Sequence, residues 1–359
     1  MNICFYFPFL KHSQNSSLFG TMYSSFFNGL KKIGVETKLA LELSEIEGDV
    51  MVVVIGGGYE KQAAKAMHVF HGPVILYVHN AYLNFNKSFL KCWQSRILFA
   101  YNPDFATLNF RKYNSVNIPY YHFPFASDET VFYPLNCEKK YDIAFLGNAN
   151  SGSGRQKYID KLIDYVKSNN LNIFLAGNGW EKYGYPSQIV QSGEQTNLIY
   201  NQSKICVNIH NDRQYLGIDI EMDANNRLFD LAMAQTCQIS NGEFMISKYF
   251  SNDEVITADN PNEWIQKIDY YLNNNDERNL TALKARTKAI EYHSWSKRAV
   301  EFNSIINENL PLYAKKSQKV NFLTLLRRKL DEIFPPFYLI KEIRLVRYFL
   351  TLFGLYNSK

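Results

Sequence analysis

The sequence predicts an α/β protein with two doubly wound parallel sheets, and three observations support this fold class. Short, continuous apolar runs such as residues 50–55 suit parallel strands that are buried on both faces. These runs alternate with segments of helical spacing, as in folds where each strand is followed by a helix. The alternation stops in the proline-punctuated stretch 123–134 and then restarts, so the 359 residues divide into two domains and a tail.

The first domain is expected to span residues 1–130. Its predicted strands are residues 3–9, 35–41, 50–55, 73–80, 97–101 and 117–121. A helix is predicted over 24–33, because Gly34 follows it and glycine favours the left-handed backbone that commonly ends a helix. Ligands of such sheets bind at the carboxyl ends of the strands, so the loops that follow the strands are where a site is expected.

The second domain is expected to span residues 135–305. Its predicted strands are 141–147, 172–177, 204–210, 236–239 and 254–257, with helices at 155–167, 262–272 and 277–292. Residues 225–235 predict a further short helix, because Asn225 or Asn226 is a favoured N-cap and apolar residues follow at helical spacing. Arg227 and Asp230 then lie near its start, either as a surface ion pair or as part of an anion and polyol site.

Composition and charge indicate the cellular compartment and where the positive charge lies. The five cysteines lack metal-ligand spacing, which indicates buried free thiols in a reducing compartment, and the first residues lack an export signal. No run is long enough to cross a membrane, so a cytoplasmic protein is expected. From Lys315 onward the chain carries ten basic and three acidic residues, so the tail 306–359 concentrates the positive charge.

The basic tail has two interpretations. Residues 322–355 interleave apolar and basic side chains, which suits a surface that holds the protein on anionic lipid at the inner face of the cytoplasmic membrane, through residues 315–359. The alternative is a closing helix packed back on the first domain. Nucleic-acid binding is not expected, because no nucleic-acid-binding module accompanies the charge.

Several segments of the second domain occur in the order of a known family. They are residues 141–155, Gly177-Asn178-Gly179-Trp180-Glu181, residues 200–208, Arg227-Leu228-Phe229-Asp230-Leu231-Ala232 and residues 255–272. Together with the linker 128–134, they make residues 120–305 resemble the CgeB-like group of GT-B glycosyltransferases. The resemblance implies the GT-B fold, with two Rossmann-like domains facing a cleft and a nucleotide-sugar donor bound by the second domain.

The resemblance implies roles for individual residues. Asp230 is the candidate for the donor ribose, and Arg155, Arg227 and the amides of Asn225 and Asn226 are candidates for its diphosphate. The other donor-binding candidates are Gly147, Asn148, Gly177, Asn178 and His210. The catalytic candidates are His79, Arg227 and Glu221, and those for the acceptor or the phosphate loop are His12 and Asn15.

Departures from the family pattern and plainer interpretations stand beside these roles. Asp230 replaces the usual glutamate, Gln235 lies in the region where the family commonly has a glycine, and a second family glutamate would fall on Met222, next to Glu221. Arg155 is equally well explained as a solvent-facing helix residue, and His210 as a strand-end hydrogen-bonding residue.

Metal binding is considered and not expected. Asp219, Glu221 and Asp223 alternate in a way similar to the metal-binding DxD of the other glycosyltransferase fold, and paired carboxylates suit Mg²⁺. Strand alternation or an acidic loop explains them as well, and GT-B enzymes generally bind no catalytic metal. We therefore expect neither a metal nor a cofactor.

The expected function is metal-independent transfer of a sugar from a nucleotide-sugar donor to a glycan or lipid-linked acceptor. The setting is bacterial surface polysaccharide synthesis, such as capsule or lipopolysaccharide, and the superfamily favours retention of configuration. One alternative is a nucleotide-sugar epimerase or hydrolase of the same fold, which would need catalytic carboxylates in the first domain. The other is a non-catalytic, sugar-binding coat or envelope protein, which the aspartate at position 230 keeps open.

Overall fold

The computed structural model describes residues 1–12, 17–56, 59–78, 87–102, 114, 116–149, 154–210, 223–314 and 322–333. It divides into two compact units. The first comprises residues 1–11, 34–123 and those from 302 onward, and the second comprises residues 12–33 and 124–301. The described helices are α1 (Ser17–Lys32), α2 (Glu60–Val69), α3 (Lys87–Trp93), α4 (Gln156–Ser168), α5 (Gly193–Asn201), α6 (Asn226–Met233), α7 (Glu243–Ile246), α8 (Pro261–Asn273), α9 (Asn275–Tyr292), α10 (Trp295–Ala314) and α11 (Phe322–Ile333).

The first unit is built on a parallel six-stranded sheet. Its strands are β1 (Asn2–Tyr6), β2 (Glu36–Ala40), β3 (Val50–Ile55), β4 (Val74–Val78), β5 (Ile97–Asn102) and β6 (Tyr120–His122). They lie in the order β2-β1-β3-β4-β5-β6, and every pairing is parallel. All residues of β3 and β4 are buried, as predicted for strands that are covered on both faces.

Two predicted boundaries in the first residues were wrong. The apolar run 3–9 was expected as one strand, but β1 ends at Tyr6 and Pro8–His12 form a 3-10 helix. Pro8 has no backbone N–H to donate to a sheet, which is why the run cannot continue as a paired strand. The helix expected over 24–33 begins earlier, at Ser17, and ends at Lys32, while Gly34 has the predicted left-handed backbone with φ of +78°.

The second unit is built on a parallel five-stranded sheet. Its strands are β7 (Tyr141–Leu146), β8 (Ile173–Ala176), β9 (Ser203–Asn208), β10 (Gln238–Ser240) and β11 (Ile256–Thr257). They lie in the order β11-β10-β9-β7-β8, again all parallel. The chain moves outward from β7 to β8 and then returns to the other side of β7 at β9, so the strand order reverses between β7 and β9. Ligands of open α/β sheets bind at such a reversal.

Two segments lie in a different unit from the one that sequence order suggests. Helix α1 follows β1 in the chain but lies in the second unit, where the ring of Phe26 packs 5.4 Å from that of Trp295. Gly29 permits this approach, because a Cβ there would come within 2.8 Å of the Trp295 carbonyl oxygen. The described residues from 302 onward lie in the first unit, where the ring of Phe302 packs 5.1 Å from that of Tyr101.

The described part of the tail is helical and contacts the first unit. Helix α11 packs on α2 and α3, which fits the closing-helix interpretation for residues 322–333. The rest of the tail, residues 315–321 and 334–359, lies outside the described residues. None of the helices that the structure describes is long and apolar enough to span a lipid bilayer.

Helix α6 ends in a turn that glycine usually makes. The Gln235 N–H donates to the Ala232 carbonyl and the Thr236 N–H donates to that of Leu231, which is the Schellman arrangement. Gln235 accordingly adopts a left-handed backbone with φ of +55°. This conformation costs an L-residue about 1–2 kcal/mol, because Cβ approaches the following carbonyl oxygen.

We predict that Gln235→Gly stabilises the protein by about 0.5–1 kcal/mol, because the relieved strain exceeds the extra flexibility of glycine in the unfolded chain. The free energy of unfolding in urea measures this change. Gln202→Gly is the matched control, since Gln202 follows α5 with a right-handed helical backbone, φ of −77°, and should lose stability. Loss of stability in both variants would contradict the prediction.

Candidate functional site

Two arginines of the second unit share one aromatic ring at the end of β7. The guanidinium carbon of Arg155 lies 5.7 Å from the centre of the Phe145 ring, and that of Arg227 lies 5.4 Å from it. Gly147 makes room for both, because a Cβ at this position would lie 3.1 Å from an Nη atom of Arg155 and 3.2 Å from one of Arg227. The sequence places these arginines 72 positions apart, and the fold brings them together beside the carboxyl end of β7.

The positive charge of this pair is only partly compensated. Arg227 donates from Nη1 to Oδ1 of Asn208 at 2.9 Å, whereas Nε and Nη2 of Arg155 are inaccessible to solvent and have no hydrogen-bond partner among the described residues. Burial and the neighbouring Arg227 charge lower the pKa of Arg155 to about 10, and burial lowers that of Arg227. Desolvated guanidinium groups of this kind favour an anion that accepts from several N–H donors at once.

The amino end of α6 is fixed next to the arginine pair. Asn225, one of the two predicted candidates, is its N-cap, and its Oδ1 accepts from the Leu228 N–H at 3.3 Å. The side chains of Asn225 and Asn208 exchange two hydrogen bonds, at 3.0 and 3.2 Å. Because Asn208 also accepts from Arg227, one amide side chain at the end of β9 orients both the arginine and the helix start.

His210 supports this helix start as a neutral residue. Its Nε2 accepts from the Asn225 backbone N–H at 3.4 Å, and its Nδ1 lies 3.1 Å from the Asn241 carbonyl oxygen and 3.2 Å from Ser240 Oγ. These contacts fit a proton on Nδ1. Burial, reinforced by the charge of Arg227, lowers the pKa of His210 to about 3. Both ring nitrogens have protein partners, so the contacts fit the strand-end hydrogen-bonding interpretation.

Asp230 is buried one turn into α6 and bonds neighbours other than Arg227. Its Oδ1 accepts from Ser127 Oγ at 2.7 Å and its Oδ2 from Asn226 Nδ2 at 3.3 Å. Burial raises the pKa of Asp230 to about 7, even though the Ser127 hydrogen bond and the Arg227 charge both lower it. The surface ion pair considered for Arg227 and Asp230 is therefore not the arrangement that the structure shows.

The loops after β7 and β8 are locked together. A Cβ at Gly177 would lie 2.6 Å from the Gly147 carbonyl oxygen, and Gly177 has φ of +117°. Asn148 accepts the Asn178 backbone N–H on Oδ1 at 2.9 Å, and the indole N–H of Trp180 donates to the Gly147 carbonyl at 3.0 Å. Gly147, Asn148, Gly177 and Asn178 thus shape the loop edge beside the arginines, and Asn148 and Asn178 are themselves exposed.

Four sequence-predicted residues are not placed in this site. His79, Glu221 and Asn15 lie outside the described residues, and His12 is described only as the last residue of the 3-10 helix Pro8–His12. Asp219 is likewise outside. Asp223 is buried, and its carboxylate accepts from the Tyr249 hydroxyl at 2.7 Å and from the Ala224 N–H at 2.8 Å. Among the described residues, no group of three His, Cys, Asp or Glu side chains could hold a metal ion.

Sequence reasoning missed three residues of the site. Phe145 carries the arginine pair, Asn208 links Arg227 to Asn225, and Ser127 hydrogen-bonds Asp230. Asn208 had a detectable signal, because a polar side chain ends an apolar strand there. Phe145 had none, because an aromatic residue in an apolar strand has the same pattern as any core residue.

Residues 155–304 match a family model described as "Glycosyl transferase-like". The match shows a glycosyltransferase-like domain. The match begins at Arg155 and includes Arg227 and Asp230, and it confirms the predicted enzyme class, a glycosyltransferase. A search of curated proteins finds no significant match.

Solved structures with the same fold are glycosyltransferases of low sequence identity. A sucrose-phosphate synthase from Thermosynechococcus elongatus is 10% identical, with a TM-score of 0.60 over 88% of this chain and 99% of the other. A glycosyltransferase of avilamycin A biosynthesis is 14% identical, with a TM-score of 0.58 over 87% and 98%. An α-glucosyltransferase, solved with UDP and a 13-mer DNA, is 11% identical, with a TM-score of 0.63 over 86% and 99%. These similarities confirm the predicted GT-B fold.

We predict that Gly147→Ala weakens anion binding, because its Cβ would displace both guanidinium groups. Titration with inorganic diphosphate should show a loss of about tenfold or more in affinity. Gly184→Ala is the matched control, since Gly184 has φ of +87° but no atom within 4 Å of the added Cβ. The control should lose stability through backbone strain and keep its affinity, and equal losses of affinity in the two variants would refute the prediction.

The raised pKa of Asp230 predicts a pH-dependent difference between wild type and Asp230→Asn. Between 3.8, its ordinary value, and about 7, folded Asp230 holds a proton that the unfolded chain has released. Wild type should therefore lose stability relative to Asp230→Asn as the pH rises through this window and then level off. Urea unfolding of both proteins at several pH values measures the difference, and a difference that stays constant or rises would show that the pKa is not raised.

Proposed function

We propose that the chain transfers a sugar from a nucleoside-diphosphate sugar to a glycan or lipid-linked acceptor. The observation that carries this proposal is the Arg155–Arg227 pair on Phe145, with N–H donors of Arg155 that lack a partner among the described residues. Two neighbouring guanidinium groups suit the two phosphates of such a donor. Their location beside β7, where the strand order reverses, is also the place at which this fold binds ligands.

The arrangement supports the chemistry of the leaving group. When the glycosyl bond breaks, negative charge develops on the nucleoside diphosphate, and fixed positive groups stabilise that charge in the transition state. The arginine pair and the amino end of α6 supply positive charge from the protein itself. We therefore propose a metal-independent reaction.

Asp230 remains the candidate for the donor ribose. Its two carboxylate oxygens each accept one described hydrogen bond, and a carboxylate can accept about four. In the ionised form it would accept hydrogen bonds from ribose hydroxyls, and the neighbouring charge of Arg227 favours that form. His210, in contrast, is proposed to hold the Asn225 amide in place rather than to contact the donor.

The finer features of the proposal rest on the sequence. The order of motifs favours the CgeB-like group, and the superfamily favours retention of configuration. We further propose bacterial surface polysaccharide synthesis, a cytoplasmic location and contact of the basic tail with the inner face of the membrane. A non-catalytic sugar-binding protein is the second candidate, because Asp230 stands where the family has a glutamate.

Thermal unfolding with UDP, GDP, CMP and dTDP tests the proposal. One nucleotide should raise Tm, since ligand at about a hundred times its Kd adds about 2.7 kcal/mol to the free energy of unfolding. Arg155→Gln and Arg227→Gln should each weaken binding of that nucleotide by about tenfold or more, because each removes a charged hydrogen-bond donor.

Arg278→Gln is the matched control for loss of a buried arginine. Arg278 lies in the same unit, but it donates to the carbonyls of Tyr271 and Leu272 at the end of α8. This variant should lose stability and keep the nucleotide shift. No shift with any nucleotide would refute the transferase and favour the non-catalytic candidate, and equal loss in all three variants would show that the arginine pair is not the binding site.

A further inference from the structure

A cavity of about 430 Å³ lies in the first unit, at the edge of the sheet opposite to the strand carboxyl ends. It is lined by His71, Ser95, Arg96, Tyr313, Ala314 and Arg328. His71 precedes β4, and Ser95 and Arg96 directly precede β5, so the cavity adjoins the amino ends of two neighbouring parallel strands. Ligands of the transfer reaction bind at the other edge in this fold, and the cavity is therefore a separate feature.

Two buried arginines line this cavity. Arg96 and Arg328 are 8% and 7% exposed. Burial lowers the pKa of Arg328, and the charge of Arg96 lowers it further. Neither guanidinium pairs with a carboxylate in the part of the chain that the structure describes, and the six lining residues include no acid. Two neighbouring buried guanidinium groups repel each other, and a bound anion offsets this repulsion.

Each arginine is held in place by hydrogen bonds that use only some of its N–H donors. Arg96 donates to the carbonyl oxygens of Phe70 and Gly72, through Nε and Nη2. Arg328 donates from Nε to the Cys92 carbonyl at 2.9 Å and from Nη2 to Ser95 Oγ at 3.4 Å. A guanidinium has five N–H donors, so the Nη1 groups of both arginines remain without a described partner. The contacts fix the two groups, and the remaining donors match a tetrahedral oxyanion.

The two helices that contribute residues to the cavity also expose leucines to solvent. Helix α11 carries Arg328. The same helix exposes Leu323, Leu325 and Leu326 by 72%, 47% and 47%. Leu312 of α10, next to Tyr313, is 55% exposed. Exposed leucines on the helices that line a basic cavity suit a phosphate group that is attached to lipid, whereas the cavity alone suits any phosphate ester.

We propose that this cavity binds a phosphate ester group, through Arg96 and Arg328. The proposal is independent of the donor site, since it concerns residues of the first unit only. The group comes either from a membrane lipid, in which case the cavity anchors the protein to the bilayer, or from a soluble phosphate ester.

Two binding assays on the full chain distinguish these sources. Flotation with phosphatidylcholine vesicles, with and without phosphatidic acid, measures lipid binding, and titration with glycerol 3-phosphate measures soluble binding. Arg96→Gln and Arg328→Gln should each weaken the observed binding by about tenfold to a hundredfold. Lys329→Gln, an exposed charge on the same helix outside the cavity, should weaken vesicle binding by about fivefold at most and leave glycerol 3-phosphate binding unchanged.

Ser95→Asp is a second variant that separates loss of cavity binding from two other effects. These are unfolding of the protein and binding of phosphate at the donor site. A carboxylate at position 95 would pair with Arg328 inside the cavity, so Tm should not fall while cavity binding is lost. Binding of vesicles alone assigns the site to a lipid phosphate, and binding of both probes assigns it to phosphate esters in general. Absence of binding to both probes, or binding that survives in Ser95→Asp and Arg328→Gln, would overturn the proposal.

Discussion

The second unit depends on holding two positive charges against one aromatic ring. Like charges at this spacing repel, and each loses hydration as it packs against Phe145. The surrounding residues make this arrangement possible. Gly147 leaves space for the guanidinium groups, and Oδ1 of Asn208 accepts a hydrogen bond from Nη1 of Arg227 at 2.9 Å. The reversal of strand order, the loops after β7 and β8, and the start of α6 all lie beside the arginine pair. The fold therefore positions the residues proposed to bind the donor.

The same dry surroundings decide the charge of the neighbouring groups. Burial keeps His210 neutral, with a pKa of about 3, and raises the pKa of Asp230 to about 7. Near neutral pH the ionised fraction of Asp230 therefore responds to any charge that enters the site, whereas the arginines stay positive. The site is in this way more positive than a simple count of its ionisable residues indicates.

The sequence predicted the parallel sheets well, because strands covered on both faces leave long apolar runs. It predicted that α6 starts at Asn225 or Asn226, because helix capping depends on local chemistry, and the N-cap is Asn225. The sequence prediction failed in two situations: where an unexpected local turn shifts the start of a strand, and where a residue's role depends on contacts with distant parts of the chain. Strand 236–239 was expected, but β10 is Gln238–Ser240, since the turn at Gln235 and Thr236 uses these residues to end α6. Helix α2 was not predicted, because its ten residues carry a weak pattern, and the role of Phe145 needs the fold to be seen.

The division of the chain into units has a consequence for biosynthesis. The sheet of the first unit uses residues 2–6 and 36–122, which leave the ribosome early, but Phe302 of α10 and Arg328 of α11 complete its packing. Helix α1 is synthesised before the rest of the second unit, and its Phe26 cannot pack against Trp295 until that residue has been made. Neither unit reaches its final packing until the ribosome has passed residue 295, so the apolar surfaces that Trp295 and Phe302 cover stay exposed until late in synthesis. The last packing contacts of both units therefore form only after most of the chain has been made, and until then a chaperone can cover the aromatic surface that awaits them.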